Sequence, residues 1–184
     1  MRKVVVTEFL TLDGVMEAPN EWSFPYWSDE AGQFKYDELF ASDALLLGRV
    51  TYEGFAAAWP SMTDEQGFAD RMNGIAKYVV STTLHKAEWN NSTIISGNVP
   101  DEIARLKALP GQDILVHGSA QLIQTLIAHN LVDAYRLLVY PLVRGGGKRL
   151  FADGTAASLQ LVETKSFSSG VVALTYQPAG KEDN

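Results

Sequence analysis

Two short stretches of this 184-residue sequence combine residue types that bind phosphate. In Leu46-Leu47-Gly48-Arg49-Val50-Thr51-Tyr52 a buried-type apolar run breaks at a glycine just before a helix pattern. A helix start carries unsatisfied N–H groups and partial positive charge, so a fixed cation such as Arg49 is unfavourable there unless an anion joins it. The Arg49 fork, the Thr51 hydroxyl and the free amides would together hold a phosphate; the other reading is that Arg49 points to solvent or pairs with a nearby acid. Ile114-Leu115-Val116-His117-Gly118-Ser119-Ala120-Gln121 repeats the arrangement. Its glycine lets a bulky anion approach the backbone, and Ser119 either caps the helix or touches the ligand. A third piece, Val79-Val80-Ser81-Thr82-Thr83-Leu84, ends a strand in hydroxyls that bind a phosphate or satisfy a turn. Ligands of open α/β sheets collect at the carboxyl ends of parallel strands, so one long diphosphate ligand could touch both glycine mouths.

Other groups are open to two readings each. Trp22-Ser23-Phe24-Pro25-Tyr26-Trp27 puts four aromatics in one loop, where they sandwich a planar heterocycle or cap the core and a dimer face. Asp13 precedes Gly14 after the first strand and reads as a turn former or a proton donor. Gly145-Gly146-Gly147 lets the chain approach a ligand or cross itself, or is a mobile loop. His85, His117 and His129 are too scattered for a metal pattern, so no metal is expected. A serine hydrolase built on Ser119 with His117 or His129 lacks the Gly-x-Ser-x-Gly elbow. The Gly-x-Gly-x-x-Gly and Gly-x-x-x-x-Gly-Lys-Ser/Thr phosphate motifs are also missing.

The elements that must position these residues follow from periodicity. Continuous apolar runs at Val4–Val6, Ala44–Leu47, Tyr78–Val80 and Ile114–Val116 predict strands covered on both faces. A fifth, Thr93–Ile95, is shorter, a sixth runs through Tyr135–Tyr140 to Pro141, and Leu159–Lys165 with Val171–Tyr176 reads as a hairpin across Ser168-Ser169-Gly170. Helix patterns lie at 29–41, with Ser28 as N-cap and Tyr36, Leu39 and Phe40 on one side, and at 50–59, 101–109 and 119–129, the last ended by Asn130 as a left-handed cap. Residues 60–74 read as a long polar excursion. The fold class is therefore α/β, a mostly parallel sheet with helices on both faces and an antiparallel C-terminal hairpin. One domain over 1–178 and a frayed tail at 179–184 are expected.

Composition narrows the class. Hydrophobic residues at 46% and charged residues at 20% are ordinary for a globular chain, and a formal charge of −7 without a basic block argues against nucleic acid. With no cysteine there is no disulfide, thiolate metal site or cysteine nucleophile. No apolar run reaches membrane-spanning length, and Glu8 comes too early for a signal peptide, so a cytoplasmic protein that does not use the membrane is expected.

In their order and spacing, Thr11-Leu12-Asp13-Gly14, Leu47 to Glu53, Val80 to Leu84, His117 to Ala120, Leu131-Val132-Asp133 and Tyr140 to Phe151 resemble the dihydrofolate reductase superfamily, and within it the C-terminal reductase domain of riboflavin biosynthesis. The resemblance covers nearly the whole chain and implies a three-layer fold and an NADPH-dependent reductase of the 5-amino-6-(5-phosphoribosylamino)uracil reductase type. It implies that Gly48, Arg49, Thr51, Ser81 and Thr82 hold the adenosine-side phosphate that separates NADPH from NADH. Gly118, Ser119, Ala120 and Gln121 would receive the pyrophosphate, with the nicotinamide near Leu12, Asp13 and Gly14. The substrate, a small unsaturated heterocycle of the pteridine or pyrimidine kind, would meet Trp22, Tyr26, Trp27 and Gln33. Asp13, Glu30, Tyr26 or an ordered water would supply the proton. The acid that binds pterin in dihydrofolate reductases has no counterpart at Gly32-Gln33, so folate is not implied; Ser119 replaces the usual second glycine of the pyrophosphate turn. A homodimer is a further expectation of the resemblance. A non-catalytic NADPH-binding protein on the same fold is the alternative.

Overall fold

Apolar runs with no polar alternation form the centre of the sheet, because both of their faces are covered. The computed structural model describes residues 1–180. Among them the strands are β1 (Val4–Thr11), β2 (Ser42–Gly48), β3 (Ala76–Val80), β4 (Ser92–Ile95), β5 (Asp113–Val116), β6 (Ala134–Tyr140), β7 (Leu159–Ser166) and β8 (Val172–Pro178). The helices are α1 (Asp29–Phe40), α2 (Arg49–Ala58), α3 (Phe68–Gly74), α4 (Val99–Ala108) and α5 (Ala120–Ala128). One sheet holds all eight strands in the order β4-β3-β2-β5-β1-β6-β8-β7. Pairing is parallel from β4 to β6 and antiparallel at β6–β8 and β8–β7. None of the described helices is long and apolar enough to cross a membrane.

The two faces carry different cores. Val4, Val6, Leu46 and Val116 pack beneath Ile103 and Leu106 of α4 and Leu122, Ile123 and Leu126 of α5. Val5, Leu45, Leu47 and Leu115 pack beneath Leu39 of α1, Tyr52 of α2 and Met72 of α3. The alternation along β1 thus assigns its even positions to the α4/α5 face and its odd positions to the α1/α2 face. Register with β5 ends at Val6↔Val116, while register with β6 continues to Thr11↔Tyr140. Residues 7–11 of β1 therefore project past β5, whose chain has turned away into α5.

Three departures from the sequence expectation have physical causes. β1 runs on past Val6 to Thr11, through a charged residue, Glu8. The excursion at 60–74 contains α3, which is nucleated by Asp64: its carboxylate accepts from the amides of Gln66, Phe68 and Ala69. The sheet-facing side of α1 is Ala31, Lys35, Glu38 and Leu39, whereas Tyr36 stacks on the exposed Phe40 at 4.2 Å. Two charges can face inward because they satisfy each other: Lys35 bonds Glu38, and Thr7 of β1 accepts from Lys35 at 2.7 Å while donating to Glu38 at 2.8 Å. Ser28 caps α1 and Asn130 takes φ of 52°, as expected. The expected tail at 179–184 is described only to Gly180, with Ala179 bonded to the Ser158 carbonyl; 181–184 lie outside the described residues.

The Thr7–Lys35–Glu38 network clamps α1 to β1, so Glu38→Ala strands a buried ammonium and should cost roughly 3–5 kcal/mol in urea unfolding. The apolar pair Lys35→Met with Glu38→Leu should recover most of that loss. A single-variant loss below about 1 kcal/mol, the range of exposed pairs, would contradict the clamp.

Candidate active site

Because β2 and β5 are neighbours, the two glycine turns that follow them meet. The Gly48 amide donates to the Gly118 carbonyl at 2.9 Å. Gly48 has φ of −75°, which any residue adopts, yet a Cβ there would stand 2.8 Å from the Ser119 amide nitrogen and nearer still to its Oγ. At Gly118, φ is +103° and a Cβ would stand 2.9 Å from Thr51 Oγ1, so both conformation and space demand glycine. The Gly118–Ser119 peptide is cis. α2 begins with no side-chain cap, and Ser119 caps α5 by accepting from Leu122 at 3.5 Å. Two helix starts with their partial positive charge thus lie side by side at one sheet edge, a chemistry suited to the linked phosphates of one ligand.

The remaining phosphate candidates stand around this edge. Arg49 is exposed and pairs with Glu53 at 2.9 Å, one turn along α2, so the pairing reading from the sequence is the one observed. Ser81, at the end of β3 beside β2, accepts from the amides of Thr83 and Leu84 at 3.1 and 2.9 Å and so holds its own turn. Thr82 and Gln121 are exposed and Ala120 opens α5.

At the end of β1 the two carboxylates singled out as proton donors have other work. Asp13 accepts from Thr11 Oγ1 at 2.6 Å and from the amides of Gly145 and Arg144 at 2.8 and 3.2 Å. Those bonds, the Thr11 hydroxyl first and the Gly145 amide next, pull its pKa down to about 2. Glu30 accepts from the Ser168 hydroxyl at 2.7 Å and from its amide, which also lowers it below the ordinary range. Both act as hydrogen-bond acceptors that hold loops, and these bonds favour their ionised forms. The Asp13 clamp is part of a stitched crossing: Met16 bonds Lys148, Leu150 bonds Gly14, and Gly147, at φ +119°, lets the chain pass where a Cβ would be 2.8 Å from Val15. The glycine run therefore crosses another segment of the chain. Gly14 turns at φ +81° and Leu12 is 68% exposed beside it.

The aromatic loop divides. Trp22 is buried, its indole N–H donating to the Glu17 carbonyl at 3.0 Å, and it and Tyr26 meet Tyr140 edge-on. Trp27 remains half exposed, 6.3 Å from the Phe9 ring and against Gly32. Trp22 is therefore core, a correction to its substrate assignment. Gln33 lies on the exposed side of α1 and donates to Asp37 at 2.7 Å.

Sequence reasoning gave Glu8 no site role and weighed His117 only for a metal pattern or a hydrolase, and the structure seals one polar atom of each. Glu8 keeps 7% of its surface, its Oε1 is sealed without a hydrogen bond, and burial pushes its pKa well up, with Lys35 opposing and Glu38 reinforcing. His117, at the end of β5, rests 5.7 Å from the Phe55 ring with Nε2 sealed and unpartnered, and burial followed by Lys35 holds it well below the usual imidazole range, hence neutral. The available signal was a charge inside an apolar strand run, which a structure must neutralise or use. His129 ends α5, at the opposite end of that helix from Ser119, so the hydrolase pairing of the two is not assembled. A cavity of 640 Å³ lined by Ile127, Tyr135 and Leu159 lies at the amino ends of the strands, away from this edge; one of 350 Å³ lies between Val15, Glu21 and Arg144, beyond the end of β1.

Residues 2–173 match the RibD C-terminal domain family. The sequence is 35% identical over 182 residues to the uncharacterized protein YyaP of Bacillus subtilis (strain 168), covering 95% of this chain and 94% of that one. In fold it is similar to a protein from Shewanella sp. PV-4 named for riboflavin biosynthesis, with TM-score 0.78 and 18% identity over 96% of this chain and 99% of that one. It is also similar to dihydrofolate reductase from Enterococcus faecalis complexed with NADP(H), with TM-score 0.62 and 14% identity over 96% of each chain. The three-layer dihydrofolate-reductase-like fold expected from the motifs is thereby found.

Two outcomes follow from the geometry. Gly48→Ala drives a Cβ into the Ser119 backbone and should lower stability by about 1–3 kcal/mol in thermal unfolding; an unchanged melting temperature would mean that the turns are not in contact. Asp13 has a folded pKa below its ordinary value of 3.8, so its stabilisation is present above that value and disappears as pH falls toward about 2. Asp13→Asn should therefore melt lower than the unsubstituted protein near neutral pH, with the gap closing across that acid window; a pH-independent gap would contradict the clamp.

Proposed function

The chain belongs to the RibD C-terminal domain family, and on that premise we propose that it is an NADPH-dependent reductase that passes hydride to a small unsaturated heterocycle of the pteridine or pyrimidine class. The observation that carries this reading is the Gly48–Gly118 hydrogen bond, which joins two helix starts into one anion-binding edge. The fit of the residues supports a phosphorylated dinucleotide. In this proposal Arg49, Thr51, Ser81 and Thr82 receive the adenosine-side phosphate, and the first turn of α5 from Gly118 to Gln121 receives the diphosphate.

When bound, the cofactor supplies the hydride chemistry, and the protein contributes binding, orientation and exclusion of water. Trp27, Phe9 and Phe55 offer apolar surface on the α1/α2 face for a flat acceptor. Asp13 and Glu30 are assigned to loop anchoring rather than to proton transfer. Saturable NADPH binding without turnover of any pteridine, pyrimidine or carbonyl acceptor would identify instead a non-catalytic NADPH-binding protein.

To reach the phosphate Arg49 must leave Glu53, and that competition is testable. NADPH should raise the melting temperature more than NADH does. Arg49→Ala should lower the NADPH-over-NADH affinity ratio about tenfold, the scale of one charge-assisted pair, while Glu53→Gln should raise the ratio. An unchanged ratio in Arg49→Ala would remove this residue from the phosphate site.

A further inference from the structure

Parallel strands are joined as a rule by a crossover helix, and the crossover from β3 to β4 has none. Residues 81–91 form an irregular strap instead, which leaves the carboxyl edge at Ser81 and returns to the start of β4. Leu84, Ala87 and Trp89 pack it into the apolar cluster of Tyr52, Phe55 and Trp59, so it lies along α2. Its far end is pinned by Trp89. The buried amide of Trp89 donates to the Tyr52 hydroxyl at 2.9 Å, and the indole N–H donates to Asn73 Oδ1 of α3 at 2.8 Å. Lys77 Nζ lies 4.1 Å from the indole centroid and donates to the carbonyls of Asn73, Ile75 and Asn90 at 2.9, 2.8 and 3.0 Å. A buried ammonium satisfied by carbonyls and an aromatic face thus fastens strap and α3 together, and the reading above gives this pin no task.

The register of the sheet says what the pin fixes. The last pair between β2 and β3 is Gly48↔Val80, which brings Arg49 and Ser81 level at the sheet edge. Beyond that pair the two chains part, one into α2 and the other into the strap. Their relative placement then rests on contacts between α2 and the strap, and the bond from Trp89 to Tyr52 is the hydrogen bond that joins them among the described residues. Ser81 accepts from Thr83 and Leu84 and so fixes the first turn of the strap, not its distance from α2. We propose, resting on the NADPH reading above, that Tyr52 is a positioning residue for cofactor selectivity: its hydroxyl holds the strap against α2 and so keeps Ser81 and Thr82 at a fixed spacing from Arg49 and Thr51. A phosphate gripped from two sides binds most tightly when its donors already stand in place, because ordering them on binding costs affinity. NADH lacks the phosphate that joins the two sides, and its affinity does not depend on their spacing. Tyr52 touches no part of the ligand in this assignment and acts through Trp89.

The test measures NADPH and NADH affinities by calorimetric titration of the full chain, unsubstituted and as Tyr52→Phe, Arg49→Ala and the double variant. Tyr52→Phe keeps the ring and removes the acceptor of the Trp89 amide. It should weaken NADPH about fivefold, the scale of one neutral hydrogen bond, and leave NADH unchanged. In the Arg49→Ala background one side of the grip is already gone, so Tyr52→Phe should change the NADPH-over-NADH ratio by less than about twofold, the mark of two residues acting on one group. An unchanged ratio in Tyr52→Phe, equal losses for both cofactors, or the full loss in both backgrounds overturns the assignment and leaves the NADPH reading intact. If the unsubstituted protein binds neither cofactor, or binds NADH as tightly as NADPH, both readings fall. Should Tyr52→Phe not fold, amide hydrogen exchange of the unsubstituted protein decides. At equal saturation NADPH should slow exchange at Trp89 more than NADH does, since coupling between sites is reciprocal, and equal slowing overturns the assignment.

Discussion

The site depends on one short contact, the hydrogen bond from the Gly48 amide to the Gly118 carbonyl. It exists because β2 and β5 are adjacent in the sheet and because neither turn carries a side chain at the point where they touch. Any Cβ at either position would meet Ser119 or Thr51 and push the two helix starts apart. With glycine at both, the partial positive charges of α2 and α5 act on the same region of solvent, and a pair of linked anionic groups can be held by both at once. A single helix start would carry no such implication.

The charged residues around this edge fall into two groups by burial. Exposed carboxylates are ionised and act as fasteners: Asp13 binds the amides of 144 and 145, Glu30 binds Ser168, and Asp64 starts α3. Each gathers N–H and O–H donors, which stabilise its charge. Inside, Lys35 and Glu38 neutralise each other against Thr7 and fix α1 over β1. Glu8 and His117 stand apart from both arrangements, because burial drives each toward its neutral form and leaves one polar atom unpartnered.

Much of this was legible in the sequence, and the failures share a cause. The central strands announced themselves because strands buried on both faces are mostly apolar, and the exposed terminal hairpin by its Ser168-Ser169-Gly170 turn. Gly48 and Gly118 were visible as breaks between strand and helix patterns. What the sequence could not show is which charges are satisfied by partners distant along the chain. Periodicity singled out Tyr36, Leu39 and Phe40 on α1 and gave no sign of Lys35 and Glu38, whose partner Thr7 lies 28 residues before Lys35. Asp13 reads as a turn former or a donor until the amides of 144 and 145, more than a hundred residues on, are placed around it. Gln33 came from counting back from Gly48-Arg49 under the family resemblance, and α1 carries it on the exposed side. α3 escaped because its N-terminal signal, Asp64, sits several residues before the first helical residue.

The account stands on simultaneous use of both helix starts by one ligand, and the most direct measurement is an amide-by-amide nuclear magnetic resonance titration of the isotope-labelled chain with NADPH. The amide signals of 48–51 and 118–121 should move together and saturate at one common cofactor concentration. If either set stays in place while the other saturates, the two turns do not grip one dinucleotide, and the shared anion-binding edge is not the cofactor site.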